Sequence, residues 1–368
     1  MNDSKRIWEI IFILPNLGLR DSFGNSKIAI VPHNDSRIVD IVSSNKFARI
    51  LVNGFEDQFR RKVHPAMLII PSDSPTYMRD IETIVSFRNI FAISSIIHAY
   101  EHRLRTNFVG YTLYSDFFDF YPVTITRQNN GYITSSPSIL GIADEAIKFR
   151  GQKSPSLADP CQISVQPDKL LFPLLENAWK RRFVDRKLTE WQTTALFRSL
   201  EMAYQATTMP FKNHSTIYDF GSSAGLWVSA FEILSHSKKD KASLITVLDL
   251  LERYQWNDKK VRRRSYKIQY QQKNLGANIL QKLYKELYDT RNDFLHGNPV
   301  KVARLYPFKN KKLNPITWFA PLIYKVGLMS FLEKLNPKLK GNDEQKKYIS
   351  KFLNERGLSG AILKSKGK

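Results

Sequence analysis

Three residues in the segment LYDTRNDFLHG, Arg291, Asn292 and His296, have the types and spacing for acid–base chemistry on a phosphate. An imidazole takes or gives a proton, a guanidinium offers a fixed planar cation to phosphoryl oxygens, and a carboxamide can orient either group. At 100° per residue with Arg291 as origin, Leu280, Tyr284, Leu287, Tyr288, Phe294 and Leu295 fall within about 60° of it. The spacing therefore sets Arg291 within an apolar stripe. A guanidinium there calls for a counter-charge, a phosphate or an opening to solvent, because an unpaired buried ion is strongly destabilising. Asn292 at about 100° and His296 at about 140° are i,i+4 neighbours that turn away from the stripe, and Lys282, Glu286, Asp289 and Asp293 mark the exposed side. Gly297 and Pro299 read as a C′ glycine and a helix stop, which places His296 in the last turn.

Glu232, within the apolar LWVSAFEIL, is the counter-charge expected to pair with Arg291, and Tyr288 stands one turn before the arginine as a supporting ring. The same residues have a structural alternative: Arg291 and Glu232 tie two helices together while His296 finishes a helix end. Lys259, Lys260, Arg262, Arg263, Arg264 and Lys267, interleaved with Trp256, Tyr266 and Tyr270, combine phosphate-neutralising charge with rings for stacking on bases. They form the RNA-docking stretch, or else a solvated loop. His98 and His102 are four residues apart around Glu101, but the order is not HExxH and the sequence offers no third ligand, so no metal site is expected. With Cys161 alone, neither an intramolecular disulfide nor a cysteine zinc site can be assembled. Phosphate-loop, dinucleotide and serine-hydrolase motifs are absent, and no cofactor is expected.

The run RN-x3-HG closing a Tyr/Leu-rich helix resembles the Arg-x4-His signature of the HEPN superfamily, and WVSAFEIL resembles that family's earlier helix with an acidic residue. The match is closest to the Apea-like HEPN branch and covers roughly residues 170–300. The resemblance implies metal-independent RNA cleavage in a homodimer, with catalytic roles for Arg291, Asn292 and His296, in proteins that often serve bacterial defence or act as toxins. Under it, His296 handles the proton of the attacking 2′-hydroxyl or the leaving 5′-oxygen, Arg291 stabilises phosphoryl charge, and Asn292 orients His296 or bonds the phosphate. The alternative is a non-catalytic RNA-binding or sensor protein with the same helical fold. A DNA-binding regulator lacks a clear helix-turn-helix.

The elements that must position these residues read as an α+β domain over residues 1–160, an all-α HEPN-like bundle over 161–335, and a basic tail over 336–368. IWEIIFIL and KIAIVP read as strands flanking a turn at Asp21 to Asn25, residues 77–105 as one long helix or two, and 111–139 as a hairpin or an extended crossing around the Asn129-Asn130-Gly131 turn signal. The first domain would sense a trigger or restrain the second. From Lys169 the apolar spacing is helical, with breakers and a cap at Asn213 to Ser215 and Gly221 to Ser223 before the middle helix. A 368-residue chain exceeds one ordinary core. Residues 211–368 hold 31 basic and 13 acidic residues, +18 of the net +22, which points to a phosphate-backbone partner. No apolar run spans a bilayer, and the opening MNDSKRIWEIIFILPNLG lacks a small-residue cleavage site, so a cytoplasmic protein without membrane partners is expected.

Overall fold

The computed structural model describes residues 7–57, 59–106, 115–121, 124–128, 131–135, 151–152, 165–186, 190–209, 216–239, 241–254, 259 and 263–335. The chain forms two compact units: Met1–Ser95, Tyr111–Pro167 and Trp179–Arg186 make one, and Ile96–Gly110, Asp168–Ala178 and Lys187–Lys368 the other. The chain thus passes between units several times, whereas the sequence reading placed one boundary at residue 160.

In the first unit, β1 (Trp8–Leu14), β2 (Phe23–Gly24), β3 (Ala29–Val31) and β5 (Ala66–Pro71) build an antiparallel sheet in the order β1-β5-β3-β2. The two expected strands do not pair with each other. They flank β5, whose AMLIIP run is buried along its whole length, as befits a strand covered on both faces. Between β3 and β5 lie α1 (Ser36–Ser44), α2 (Lys46–Asn53) and the short β4 (Phe55–Glu56). Ile38, Ile41, Ala48, Leu51 and Val52 of the two helices share a core with Ile10, Val31, Met67 and Ile69. Asp35 and Asn45 cap these helices by accepting backbone N–H bonds. The long helix α3 (Ile81–Thr106) contributes Phe91, whose ring lies 5.1 Å from that of Phe23. A hairpin does form at Thr124–Gln128 (β6) and Gly131–Ser135 (β7), with the paired β8 segment (Gly151–Gln152) against β4.

The second unit is helical except for one hairpin. Its elements are α4 (Leu171–Trp179, all but its last residue), α5 (Trp191–Thr208), α6 (Ile217–Ser235), α7 (Leu244–Glu252), α8 (Ile279–Leu295) and α9 (Ile316–Leu335), together with the last turns of α3. The expected all-α bundle is corrected by β9 (Tyr266–Tyr270) and β10 (Lys273–Ala277), an antiparallel pair between α7 and α8. YKIQY alternates buried and exposed positions, the signature of a strand with one covered face. Gly221, Ser222 and Ser223 are not breakers but lie inside α6, whose N-cap is Thr216 in a capping box with Asp219. Asn213 to Ser215 and the tail 336–368 lie outside the described residues. No helix among the described residues is long and apolar enough to cross a membrane.

α9 is buried on all sides and carries a lysine at its centre. Lys325 Nζ donates to Glu101 Oε1 at 2.8 Å and to Asp168 Oδ2 at 2.6 Å, so α3, the start of α4 and α9 are joined by one buried ammonium. Burial opposes the charge on Lys325, but the two carboxylates outweigh it and hold its pKa above the ordinary value. Burial raises Glu101, whereas at Asp168 the nearby ammonium, its hydrogen bond and two backbone N–H bonds outweigh burial and hold the carboxyl low.

Two outcomes follow. Lys325→Met leaves two buried carboxylates uncompensated, and urea titration at neutral pH should show a loss of about 3–5 kcal/mol. In that variant Glu101, already raised by burial, loses the ammonium that opposed the shift, so its folded pKa lies above the unfolded one, stability falls as pH rises, and the deficit should shrink on acidification. In the native protein the raised Lys325 pKa gives a contribution that is full below the ordinary lysine range and lost as pH climbs through the folded value. A deficit that does not change with pH would contradict the assignment.

Candidate functional site

α6 and α8 meet along a seam of paired residues. A Cβ built on Gly221 would lie 2.3 Å from the Phe294 ring, and one on Gly225 would lie 3.9 Å from Arg291 Cγ. Further along, the Phe231 and Tyr284 rings are 4.9 Å apart. Rising numbers on α6 meet falling numbers on α8, so the helices run antiparallel. Gly221 and Gly225 share one face of α6 at i,i+4, and without side chains they leave room for Phe294 and Arg291.

Arg291 is half-buried rather than sunk in the core, because the apolar stripe runs out toward the helix end: Leu280, Tyr284 and Leu287 are buried, Tyr288 and Phe294 half-buried, and Leu295 exposed. Its Nη1 donates to Asn292 Oδ1 at 3.1 Å, and its Cζ lies 5.7 Å from the Tyr288 ring centroid. Asn292 therefore orients the arginine, and no side-chain hydrogen bond joins it to His296 among the described residues. The expected ion pair between Arg291 and Glu232 is also corrected. The two are close enough for the guanidinium to favour the charged carboxylate, yet burial dominates and raises the Glu232 pKa, and no salt bridge joins them. Chain direction explains this: at the seam Arg291 lies over Gly225, two turns before Glu232 on α6.

Beside Glu232 lies a residue that the sequence reading placed only in the stripe. Tyr284 is fully buried, and its hydroxyl has no hydrogen-bond partner. Burial, then Glu232 and Tyr288, push its phenol far above the usual range, so it stays protonated. At this point in the seam a carboxyl, two phenols and a guanidinium share one electrostatic environment.

His296 is exposed at the end of α8, without a side-chain hydrogen bond among the described residues. The expected glycine stop is present: Gly297 has φ +65°, its N–H donates to Phe294 O at 3.4 Å, and Asn298 N–H donates to Asp293 O at 3.1 Å, the two bonds of a Schellman ending. The opposite face of α8 is not open as expected. Arg304, from the 3-10 turn Val302–Leu305, reaches Asp293 Oδ2 at 2.6 Å and stands 3.9 Å from both Glu286 and Asp289. Lys282 and Lys285 complete the ion network through Glu286 and Asp289.

Of the basic stretch, Lys259, Arg263 and Lys267 are exposed and Arg264 is half-buried, while Lys260, Arg262 and Trp256 lie outside the described residues. Tyr266 is buried in the core and is not a free stacking ring. Lys267 sits on β9 directly across from Gly276 of β10. His98, Glu101 and Asp168 bring ligand-type atoms within 4.8 Å of one another, a third partner that the sequence spacing did not disclose. His102 is not in this group, and the Lys325 ammonium bonded to both carboxylates already supplies a cation there.

A scan against protein-family models found no match, and comparisons with curated proteins and with solved structures found none either.

The seam makes two sharp expectations. Gly221→Ala forces the Phe294 ring out of place and should lower stability by about 1–3 kcal/mol, whereas Gly225→Ala meets only ordinary contact and should be neutral or gain up to about 1 kcal/mol from helix propensity. Paired thermal melts would show this ordering, and equal melts would refute the packing. Glu232→Gln tests the carboxyl: because its folded pKa lies above the unfolded one, ionisation opposes folding as pH rises past the ordinary glutamate range. The variant should therefore melt no lower than the native protein at pH 7, and its advantage should vanish in acid.

Proposed function

We propose that the chain is a metal-independent endoribonuclease of HEPN type, acting as a homodimer. The observation that carries this reading is Arg291, a half-buried guanidinium bonded to Asn292 and joined to no carboxylate among the described residues, on the same helix end that exposes His296. A cation left without an ion pair at a seam open to solvent suits an incoming phosphate. On the helical wheel Arg291 and His296 stand about 140° apart on α8, which directs the two side chains apart within one chain. Two copies related by a two-fold axis would bring a second arginine and imidazole to the same phosphate, since such pairing apposes identical surfaces.

In this mechanism the ribose 2′-oxygen attacks the phosphorus as its proton passes to a base, the bond to the 5′-oxygen breaks, and that oxygen takes up a proton. His296 performs the proton transfer, and Arg291, oriented by Asn292, stabilises the charge on the non-bridging oxygens. Lys259, Arg263 and Lys267, on the exposed stretch leading into β9, hold the backbone of the RNA, as do Lys260 and Arg262 of the same run. Glu232 and Tyr288 support the arginine. The first unit would restrain the second or sense its trigger, and a role in bacterial defence rests on the family resemblance. The second reading, RNA binding without cleavage, is favoured by the separation of Arg291 and His296 within a single chain.

Incubation with mixed RNA in EDTA should yield 2′,3′-cyclic phosphate and 5′-hydroxyl ends. His296→Ala should abolish them, and Arg291→Ala should slow cleavage by about 10²- to 10³-fold. Tight binding without cleavage would establish the second reading, and cleavage untouched by either substitution would sink the first.

A further inference from the structure

The start of α6 and the end of α8 present an aromatic pair that none of the roles above uses. Tyr218, in the first turn of α6, is 73% exposed, although large rings are usually mostly covered. Its ring centroid lies 6.3 Å from that of Phe294 with the planes at 80°. The edge-on contact leaves a flat face of one ring turned to solvent. Phe294 is itself set against the bare backbone of Gly221, so the pair stands on a rigid base. Arg291 lies one turn before Phe294 on the same side of α8, whereas His296, two residues after Phe294, turns to the other side. An exposed ring and a guanidinium thus stand on one side of α8, at one end of the seam.

We infer that Tyr218, backed by Phe294, is the platform on which an unpaired base of the RNA stacks next to the cleaved phosphate, so that the substrate is single-stranded at this point. This deepens the ribonuclease reading and rests on it. Stacking needs a flat, accessible π-face held in place, which Tyr218 has, and a base engaged there must be out of a duplex. A phosphate attached to that base passes toward Arg291, which forms no ion pair among the described residues and supplies charge complementarity.

The test separates binding from cleavage by using a short 2′-O-methyl RNA of mixed sequence, which lacks the attacking hydroxyl, as a single strand and as a duplex. Tyr218→Ala should weaken single-strand binding by about 5- to 100-fold, leave duplex binding unchanged, and leave the slope of affinity against salt unchanged because no phosphate contact is lost. Tyr218→Phe and Tyr218→Trp should retain affinity, and base stacking should quench the fluorescence of the new tryptophan. All three variants should keep the native melting temperature, since the ring is exposed. Single-strand affinity within about twofold of native in Tyr218→Ala, or a shift in sedimentation with affinity per dimer unaltered, overturns the inference while leaving His296-dependent cleavage standing. Native protein that neither binds nor cuts RNA overturns the ribonuclease reading itself.

Discussion

The close approach of α6 and α8 at Gly221 is the constraint on which the candidate site depends. That position lets Phe294 of α8 lie against the backbone of α6, with Arg291 one turn along in ordinary contact with Gly225. Any side chain at Gly221 would push α8 outward at its last turn, and the last turn is where Asn292 and His296 are held. The network around Arg304 works from the opposite face, tying Glu286, Asp289 and Asp293 to the following segment. The helix end is therefore gripped on two sides, by glycine contact and by ion pairs, and the imidazole projects from a fixed support. Rigid support of this kind is what a reacting constellation needs, because small misplacements cost large factors in rate.

Much of this was legible in the residues, and the failures have physical causes. The helical ending at Gly297 could be read because glycine followed by proline punctuates a helix locally. The hairpin at β6 and β7 was legible for a similar reason: its turn chemistry is written in adjacent residues. The glycines of GSSAG were misread because glycine both breaks helices and permits helices to touch, and only the partner helix decides between these roles. The hairpin at β9 and β10 escaped because its turn residues are Gln271 and Gln272, both with positive φ, where Asn-Gly would have announced the turn. The strand β5 and the helices α1 and α2 are short apolar runs whose type depends on what they pack against. The Glu232 pairing failed because a helical wheel gives direction around an axis but not the register between two helices.

The second unit holds a buried ion cluster besides this seam, the pairing of Lys325 with Glu101 and Asp168. The spacing of His98, Glu101 and His102 on one helix showed none of it, because the partners come from other parts of the chain. Stability and the candidate chemistry are thus carried by different side chains. A substitution at the buried ammonium acts on folding, and one at the helix end acts on what meets the solvent.

That arrangement has a consequence for how the chain is made. Lys325 is separated from Glu101 by 224 positions and from Asp168 by 157. Both carboxylates therefore leave the ribosome long before the ammonium that neutralises them, and burying them before it arrives is costly. Synthesis at about 5–20 residues per second leaves them waiting for many seconds. The ion cluster of the second unit can therefore form only once α9 has been made.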